Sequence, residues 1–238
     1  MFGKLMKLYN KSSSERYIKY LRKLGIDVGE GTHFFYPNSC FVDNTRPWMI
    51  EIGKNVQFTK NISLLTHGYD WSVLKGKYGD IMGSCGKITI KDNVFIGYNT
   101  TILKNVTVGT NVIIGANSLV NKDIPDNSVA AGNPARVIMS LEDYYKRRKK
   151  EQLKELSDLI RNYYYKYKKW PEEKVLREFI FVYKERNDTS IKDRTFQEIA
   201  HLVGNYEQTL KSFYENKGLF ENYEQLIDYC RKEMRLNE

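Results

Sequence analysis

The strongest constraint on this chain is a beat of six residues. Written in sixes, residues 90–125 read IKDNVF, IGYNTT, ILKNVT, VGTNVI, IGANSL, VNKDIP. The first place is Ile90, Ile96, Ile102, Val108, Ile114 and Val120, aliphatic in every repeat. The fifth is Val94, Thr100, Val106, Val112, Ser118 and Ile124, small or β-branched throughout. Upstream, residues 52–57 and 58–63 keep the same frame, and residues 28–33 keep it loosely. Residues six apart fall on nearly opposite sides of an α-helix, so the period excludes one. Six is a multiple of two, so the aliphatic residues can all face one way along extended segments. Short strands separated by sharp bends, with β-branched residues stacked inside, describe a parallel β-helix. Glycine or asparagine near each bend supplies backbone angles that other residues resist. Lys91 and Leu103 stand where a small residue is expected and leave the frame intact.

Size and composition set the outer limits. The chain has 238 residues, 41% of them hydrophobic, which suffices for one large domain or for one domain with an extension. No apolar run approaches a membrane span. The N-terminus, M-F-G-K-L-M-K-L-Y-N-K-S-S-S, lacks a long apolar stretch and a small-residue cleavage site, and reads as a short helix. Cys40, Cys85 and Cys230 are widely spaced with no C-x-x-C pair, which argues for a reducing, cytoplasmic setting and against a disulfide framework or structural zinc. The excess behind the net charge of +9 sits in the extreme N-terminus and in the C-terminal third, where K-R-R-K-K at 146–150 and K-Y-K-K at 166–169 are dense blocks. Such blocks can attract anionic partners, and a solvated helix face accounts for them more simply.

The beat stops at L-L-T-H-G-Y-D-W-S-V-L-K-G-K-Y-G, residues 64–79, and resumes after G-S-C-G at I-T-I-K-D-N. Stacked identical coils have no natural cleft, and a loop leaving one corner supplies one. The segment from about Thr66 to Gly86 reads as that loop, with five glycines to let it turn. Tyr69, Trp71 and Tyr78 have the composition of a sugar-facing wall. Histidine suits removal of a hydroxyl proton because it titrates near neutrality. The chain has three, and His67 is the one in this interruption. His33, in an early and poorly formed coil, is a fallback base, and His201 falls in a helical stretch. Asp70 has two readings: it orients the imidazole, or it binds a sugar hydroxyl. One histidine and one aspartate do not make a metal-ligand set.

The pattern [LIV]-[GAED]-x-x-[STAV]-x over residues 25–138 resembles the hexapeptide-repeat acyltransferases, nearest to the branch of maltose, galactoside and surface-polysaccharide O-acetyltransferases. The resemblance implies a mainly β chain: a left-handed parallel β-helix, three hexapeptides to a triangular coil, with a C-terminal α-helical extension. It implies three segments: residues 1–24 as an N-terminal helical piece, 25–138 as the acetyltransferase domain, and 139–238 as the helical extension. In that family a histidine beside an extended loop is the general base, which places the role on His67 in T-H-G-Y-D-W-S. I-G-A-N-S-L-V-N-K-D-I-P and A-A-G-N-P-A-R-V-I, residues 114–125 and 130–138, resemble the branch's terminal signature. Positions matching Ala116, Asn121, Lys122 and Arg136 lie along the coenzyme in relatives, although a threonine usually stands where Asn121 does. Small residues, Ala116 and Ser118 among them, leave backbone open to a pantetheine arm, and Lys122 and Arg136 suit phosphates. Pro125 and Pro134 are expected to end the regular coil.

After Ile138 the texture is helical. A capping-box-like start at Ser140–Asp143 precedes Leu153, Leu156, Leu159 and Ile160 at helical spacing, and Trp170-Pro171 breaks the run. V-L-R-E-F-I-F-V-Y, T-F-Q-E-I-A-H-L-V and Y-E-Q-L-I-D-Y-C-R read as further short helices. Interleaved tyrosines and lysines at 163–169 would permit nucleic-acid or membrane-surface contact, and amphipathicity explains them more cheaply, so no nucleic acid is expected. The expectation is a cytoplasmic, homotrimeric, acetyl-coenzyme A-dependent O-acetyltransferase with active sites between subunits, acting on a sugar of a bacterial surface polysaccharide. The alternatives are N-acetylation of an amino sugar, acetylation of a xenobiotic, or a non-catalytic scaffold whose basic tail binds an anionic partner.

Overall fold

The computed structural model describes Met6 and residues 8–234, so part of the helix expected within residues 1–24 lies outside the described residues. The chain divides into two compact units, Met1–Tyr145 and Lys146–Glu238.

The first unit is three parallel sheets wound from one chain. One contains Asp27–Val28, Ile50–Ile52, Ile88–Ile90 and Val106–Val108; another Phe41–Val42, Ser63–Leu65, Thr101–Leu103 and Leu119–Val120. The third runs through His33–Phe34, Gln57–Phe58, Val94–Ile96, Val112–Ile114 and Ser128–Ala131. As far as Leu119–Val120 each strand pairs with the strand three places on, so the chain visits the three sheets in rotation. In the regular part the register advances eighteen residues per circuit, as in Val106 on Ile88, Val112 on Val94 and Leu119 on Thr101. Three repeats of six therefore make one circuit.

The six-residue pattern encodes this winding through burial. The first-place aliphatics from Ile90 to Val120 are all 1% exposed or less, and the fifth-place residues from Val94 to Ile124 are all 4% or less. Each fully buried aliphatic side chain contributes about 1.5–3 kcal/mol of transfer free energy. The corners are set by asparagine. Asn55, Asn61, Asn93, Asn99, Asn105, Asn111, Asn117 and Asn127 have φ between 53° and 60°. Asparagine tolerates this left-handed region better than other side-chain-bearing residues. Their side chains also join one turn to the next: Asn93 donates to Asn111 at 2.7 Å, and Asn99 to Asn117 at 2.9 Å. Gly97 is needed for close stacking, since an added Cβ would come within 2.6 Å of the Ala116 backbone nitrogen.

The helix Ser14–Leu24 covers the open end of the first turn. Tyr17 and Leu21 join the interior, and Tyr17 meets Phe34 edge-on at 5.0 Å. Its buried Ser14 hydroxyl accepts the Phe34 backbone N–H at 2.9 Å, and Arg22 donates to the Val28 carbonyl at 2.7 Å. An otherwise exposed edge is thereby covered. At the other end the coil does not stop at Pro125. Ser128–Ala131 still pairs in parallel with Val112–Ile114, and Arg136–Ser140 then reverses to pair antiparallel with it, after a cis Asn133–Pro134 bond. The expectation that Pro125 ends the coil is corrected: its carbonyl accepts from Ser128, and the sheet continues.

The second unit is helical. The helix Leu141–Tyr167 begins as expected, with Ser140 Oγ accepting the Asp143 N–H at 3.0 Å. Leu156 and Ile160 are fully buried while Leu159 is exposed. They pack with Leu176, Tyr183, Phe196, Phe213, Leu226 and Cys230 in a separate apolar core. V-L-R-E-F-I-F-V-Y, expected as one short helix, is a 3-10 helix over Glu173–Phe179 followed by one α-turn at Ile180–Tyr183. The helix Tyr206–Glu215 was not anticipated. In the basic run, Arg147 reaches Glu151 at 3.0 Å and Arg148 reaches Glu155 at 2.7 Å, so part of that charge is matched along the helix. Among the described residues no helix is long and apolar enough to cross a membrane.

Candidate active site

One corner of the coil is irregular on two consecutive turns. Between Thr101–Leu103 and Val106–Val108 the connection is Lys104–Asn105. One turn earlier the same connection spans residues 66–87, and the turn before that it spans residues 43–49. The strands on either side stay paired across both departures, with Phe41 on Ser63 and Ile50 on Ile88. Two enlarged corners are therefore stacked one on the other.

The upper departure has a paired root. Gly86 donates to the Thr66 carbonyl at 2.9 Å, and His67 lies across an antiparallel bridge from Cys85. Beyond it the chain forms a helix, Trp71–Tyr78, closed by Gly79 at φ 80°. The expected glycine-rich loop is corrected here: Gly76 is helical, and only Gly79 among the segment's glycines has positive φ. The lower departure carries D-N-T-R-P-W-M. Asp43 makes an Asx turn, its Oδ1 accepting from Thr45 N at 3.1 Å and Thr45 Oγ1 at 2.7 Å.

The two departures meet through one carboxylate. His67 Nδ1 lies 2.6 Å from Asp43 Oδ2, which also accepts from the Thr66 hydroxyl and from Thr66 N at 3.3 Å. Burial pushes the Asp43 carboxyl up, but hydrogen bonds from Thr66, Thr45 and His67 outweigh it and hold it well below the usual carboxylate range. A carboxylate can only accept, so it fixes the imidazole proton on Nδ1 and leaves Nε2 as a free base. The Asp43 side chain is 3% exposed and that of His67 is 32% exposed, so the anchor is sealed while the base can be approached.

Asp70 does not hold the imidazole. It is exposed at the start of the helix, turned back over Gly68, where an added Cβ would lie 2.2 Å from its Oδ1. Tyr69 and Trp71 form a tilted pair at 4.7 Å on the same departure, with Tyr69 exposed. His33 is exposed and packs edge-on to Phe35, and His201 stacks on Tyr206 at 4.0 Å in the other unit. Asp43 escaped the sequence reading. The available signal was the frame itself, which slips at F-V-D-N-T-R-P-W-M one turn before the slip at His67.

On the last turns Ala116, Asn121, Lys122, Gly132 and Arg136 are exposed. Ser118 is buried: its hydroxyl donates to the Gly115 carbonyl at 2.6 Å and accepts from Gly132 N at 3.2 Å, so it offers no free polar group. Arg136 Nη1 donates to the Ala135 carbonyl at 2.7 Å. Among the described residues no cluster of three His, Cys, Asp or Glu side chains could hold a metal ion.

The model of the family "Bacterial transferase hexapeptide (six repeats)" matches residues 87–122. Over 140 residues the chain is 43% identical to Protein CapG of Staphylococcus aureus, a match covering 58% of this chain and 78% of that one. The chain belongs to the hexapeptide-repeat bacterial transferases. Its relatives in that family include a galactoside O-acetyltransferase of Lactococcus lactis, 31% identical over 162 residues that cover 58% of this chain and 76% of the relative. A hexapeptide-repeat acetyltransferase of Vibrio cholerae, solved in complex with acetyl coenzyme A, is 27% identical over 57% of this chain and 82% of its own, with a TM-score of 0.42. This transferase is an acetyltransferase.

Proposed function

We propose that this acetyltransferase acetylates a sugar hydroxyl by direct transfer, with His67 as the general base and Asp43 as the residue that orients it. The observation that carries the proposal is the 2.6 Å contact between His67 Nδ1 and a buried, ionised Asp43, at the root of the departure that interrupts the coil. As the hydroxyl oxygen bonds to the acetyl carbon, His67 Nε2 takes the hydroxyl proton and then returns it to the departing thiolate sulfur. Asp43 steadies the imidazolium between these two moves. The coenzyme supplies the acetyl group as a thioester, which is activated toward attack by oxygen.

The last turns suit that donor. The exposed small residues Ala116 and Gly132 leave backbone open beside Asn121, and the exposed cations Lys122 and Arg136 match its phosphates. Ser118 would contribute through its backbone, because its side chain is turned inward. The acceptor wall is Tyr69 and Trp71, whose rings have the flat apolar faces that sugars stack on. Asp70, exposed beside them, is placed to bind an acceptor hydroxyl.

Resemblance to the O-acetyltransferase branch extends the reading. The coil winds left-handed, three copies assemble with active sites between neighbours, and the product enters a bacterial surface polysaccharide made from cytoplasmic precursors. The decisive test is thiol release from acetyl-coenzyme A with a panel of sugars. His67→Ala is expected to lower kcat by about 10²–10⁴-fold. Unchanged turnover in that variant would remove His67 from the mechanism.

A further inference from the structure

The lower departure carries a cation that the dyad does not use. Arg46 follows Thr45 directly and opens the short 3-10 turn Pro47–Met49. Its side chain is half-buried, and its guanidinium makes one hydrogen bond, from Nη1 to Thr45 Oγ1 at 3.2 Å. The same Thr45 hydroxyl donates to Asp43 Oδ1 at 2.7 Å, and the other oxygen of that carboxylate holds His67. Arg46 thus stands one side chain away from the carboxylate that orients the base.

Asp43 is nevertheless not its counter-ion. Both carboxylate oxygens are already occupied, Oδ1 by the two donors of Thr45 and Oδ2 by Thr66 and His67. Among the described residues Arg46 has no carboxylate within ion-pair distance. A guanidinium carries five N–H donors in a fixed fork that fits carboxylate and phosphate oxygens two at a time. Among the described residues the other four donors have no acceptor. The next side chain but one, Trp48, is 71% exposed and offers an apolar surface on the same turn. The fold makes room for this turn only by lengthening the corner that stacks against the one bearing His67.

We infer that Arg46 binds an oxyanion on the acceptor, so that the sugar accepted by this enzyme carries a carboxylate or a phosphate near the hydroxyl to be acetylated. This inference rests on the site reading proposed above and adds the acceptor's charge to it. The donor's phosphates are matched by Lys122 and Arg136 on later turns, which leaves the cation beside the dyad for the acceptor.

The test measures binding without turnover. Glucose, glucuronate and glucose 1-phosphate are titrated calorimetrically into the full chain at low salt with coenzyme A present. The wild type, Arg46→Gln, Arg46→Lys and His67→Ala are compared. At least one anionic sugar is expected to bind about tenfold more tightly than glucose, the effect of one charge-assisted pair. Whether glucuronate or glucose 1-phosphate gains identifies the anion as carboxylate or phosphate. Arg46→Gln is expected to erase the difference, Arg46→Lys to keep part of it, and His67→Ala to keep all of it. The inference is overturned if neither anionic sugar outcompetes glucose, if no sugar binds, or if the preference survives Arg46→Gln. It is also overturned if that variant weakens coenzyme A instead. Turnover surviving in His67→Ala would sink the general base and leave the Arg46 result standing.

Discussion

The turns from Ile88 to Val120 and the corner that carries His67 share the same three sheets and follow opposite rules. In the regular turns every corner is a short connection holding one asparagine of positive φ, and every first and fifth place points inward. At the irregular corner the chain leaves the surface twice, on adjacent turns, and polar side chains are buried. The regular part stacks aliphatic side chains with the hydroxyls of Thr100 and Ser118 between them, and among the described residues it buries no charged group. The irregular part buries a carboxylate, which is costly unless hydrogen bonds surround it, and five donor contacts do so. The proposed chemistry belongs where the repeat is broken, because there a carboxylate is sealed beneath an accessible imidazole.

The sharpest way to break this comparison is to remove the anchor's charge and keep its shape. Asp43→Asn is expected to lower kcat by about 10²–10³-fold, because an amide no longer selects the Nδ1-protonated imidazole. The same variant has a pH signature in unfolding experiments. The carboxyl's pKa is depressed in the folded chain, so the unfolded chain binds the proton first. Its stabilisation is present above the ordinary aspartate value of about 3.9 and is lost as pH falls below it. Wild type should exceed Asp43→Asn in stability at neutral pH, and the gap should close in acid. A constant gap would mean that the ionised form is not what the fold favours.

A change in the regular turns should do the reverse. Ile102, fully buried in the middle of its sheet, is expected to cost about 2–5 kcal/mol as Ile102→Ala, read from denaturant unfolding. The folded fraction should keep its acetyl transfer, and a collapse of kcat in fully folded protein would show that the two regions are not separable. The smallest effect belongs to the corners. Asn99 has φ 60° and donates to Asn117, so Asn99→Ala is expected to lose about 1–2 kcal/mol, with Asn99→Gly losing less. Equal losses would assign the role to the side-chain ladder and not to the backbone angle.

The fold was legible because its rule is local and repeats. Six aliphatics in register and a polar bend residue in each repeat specify a strand, a bend and a burial pattern without knowledge of the rest of the chain. His67 was legible as an interruption of that rule. Asp43 was not, because its partner lies a full turn away, and sequence spacing does not report which residues stack across turns. Asp70 was the nearer carboxylate in sequence and is the wrong one for the imidazole. The helix Trp71–Tyr78 was hidden by glycines that suggest a loop. In the second unit no fixed frame exists, so spacing found Leu156 and Ile160 and missed the helix Tyr206–Glu215.

The helix Ser14–Leu24 acquires a second meaning from this arrangement. Asp43 follows the first strand of its sheet and His67 follows the second, so the proposed dyad straddles the seam between the first two turns of the coil. A stack of turns held only by nearest neighbours frays from its ends. Under the proposed mechanism, the helix that covers the first turn guards catalysis as well as structure. If it detached, the outermost turn would peel away with the aspartate, and the proposed base would lose its anchor while most of the scaffold still stood.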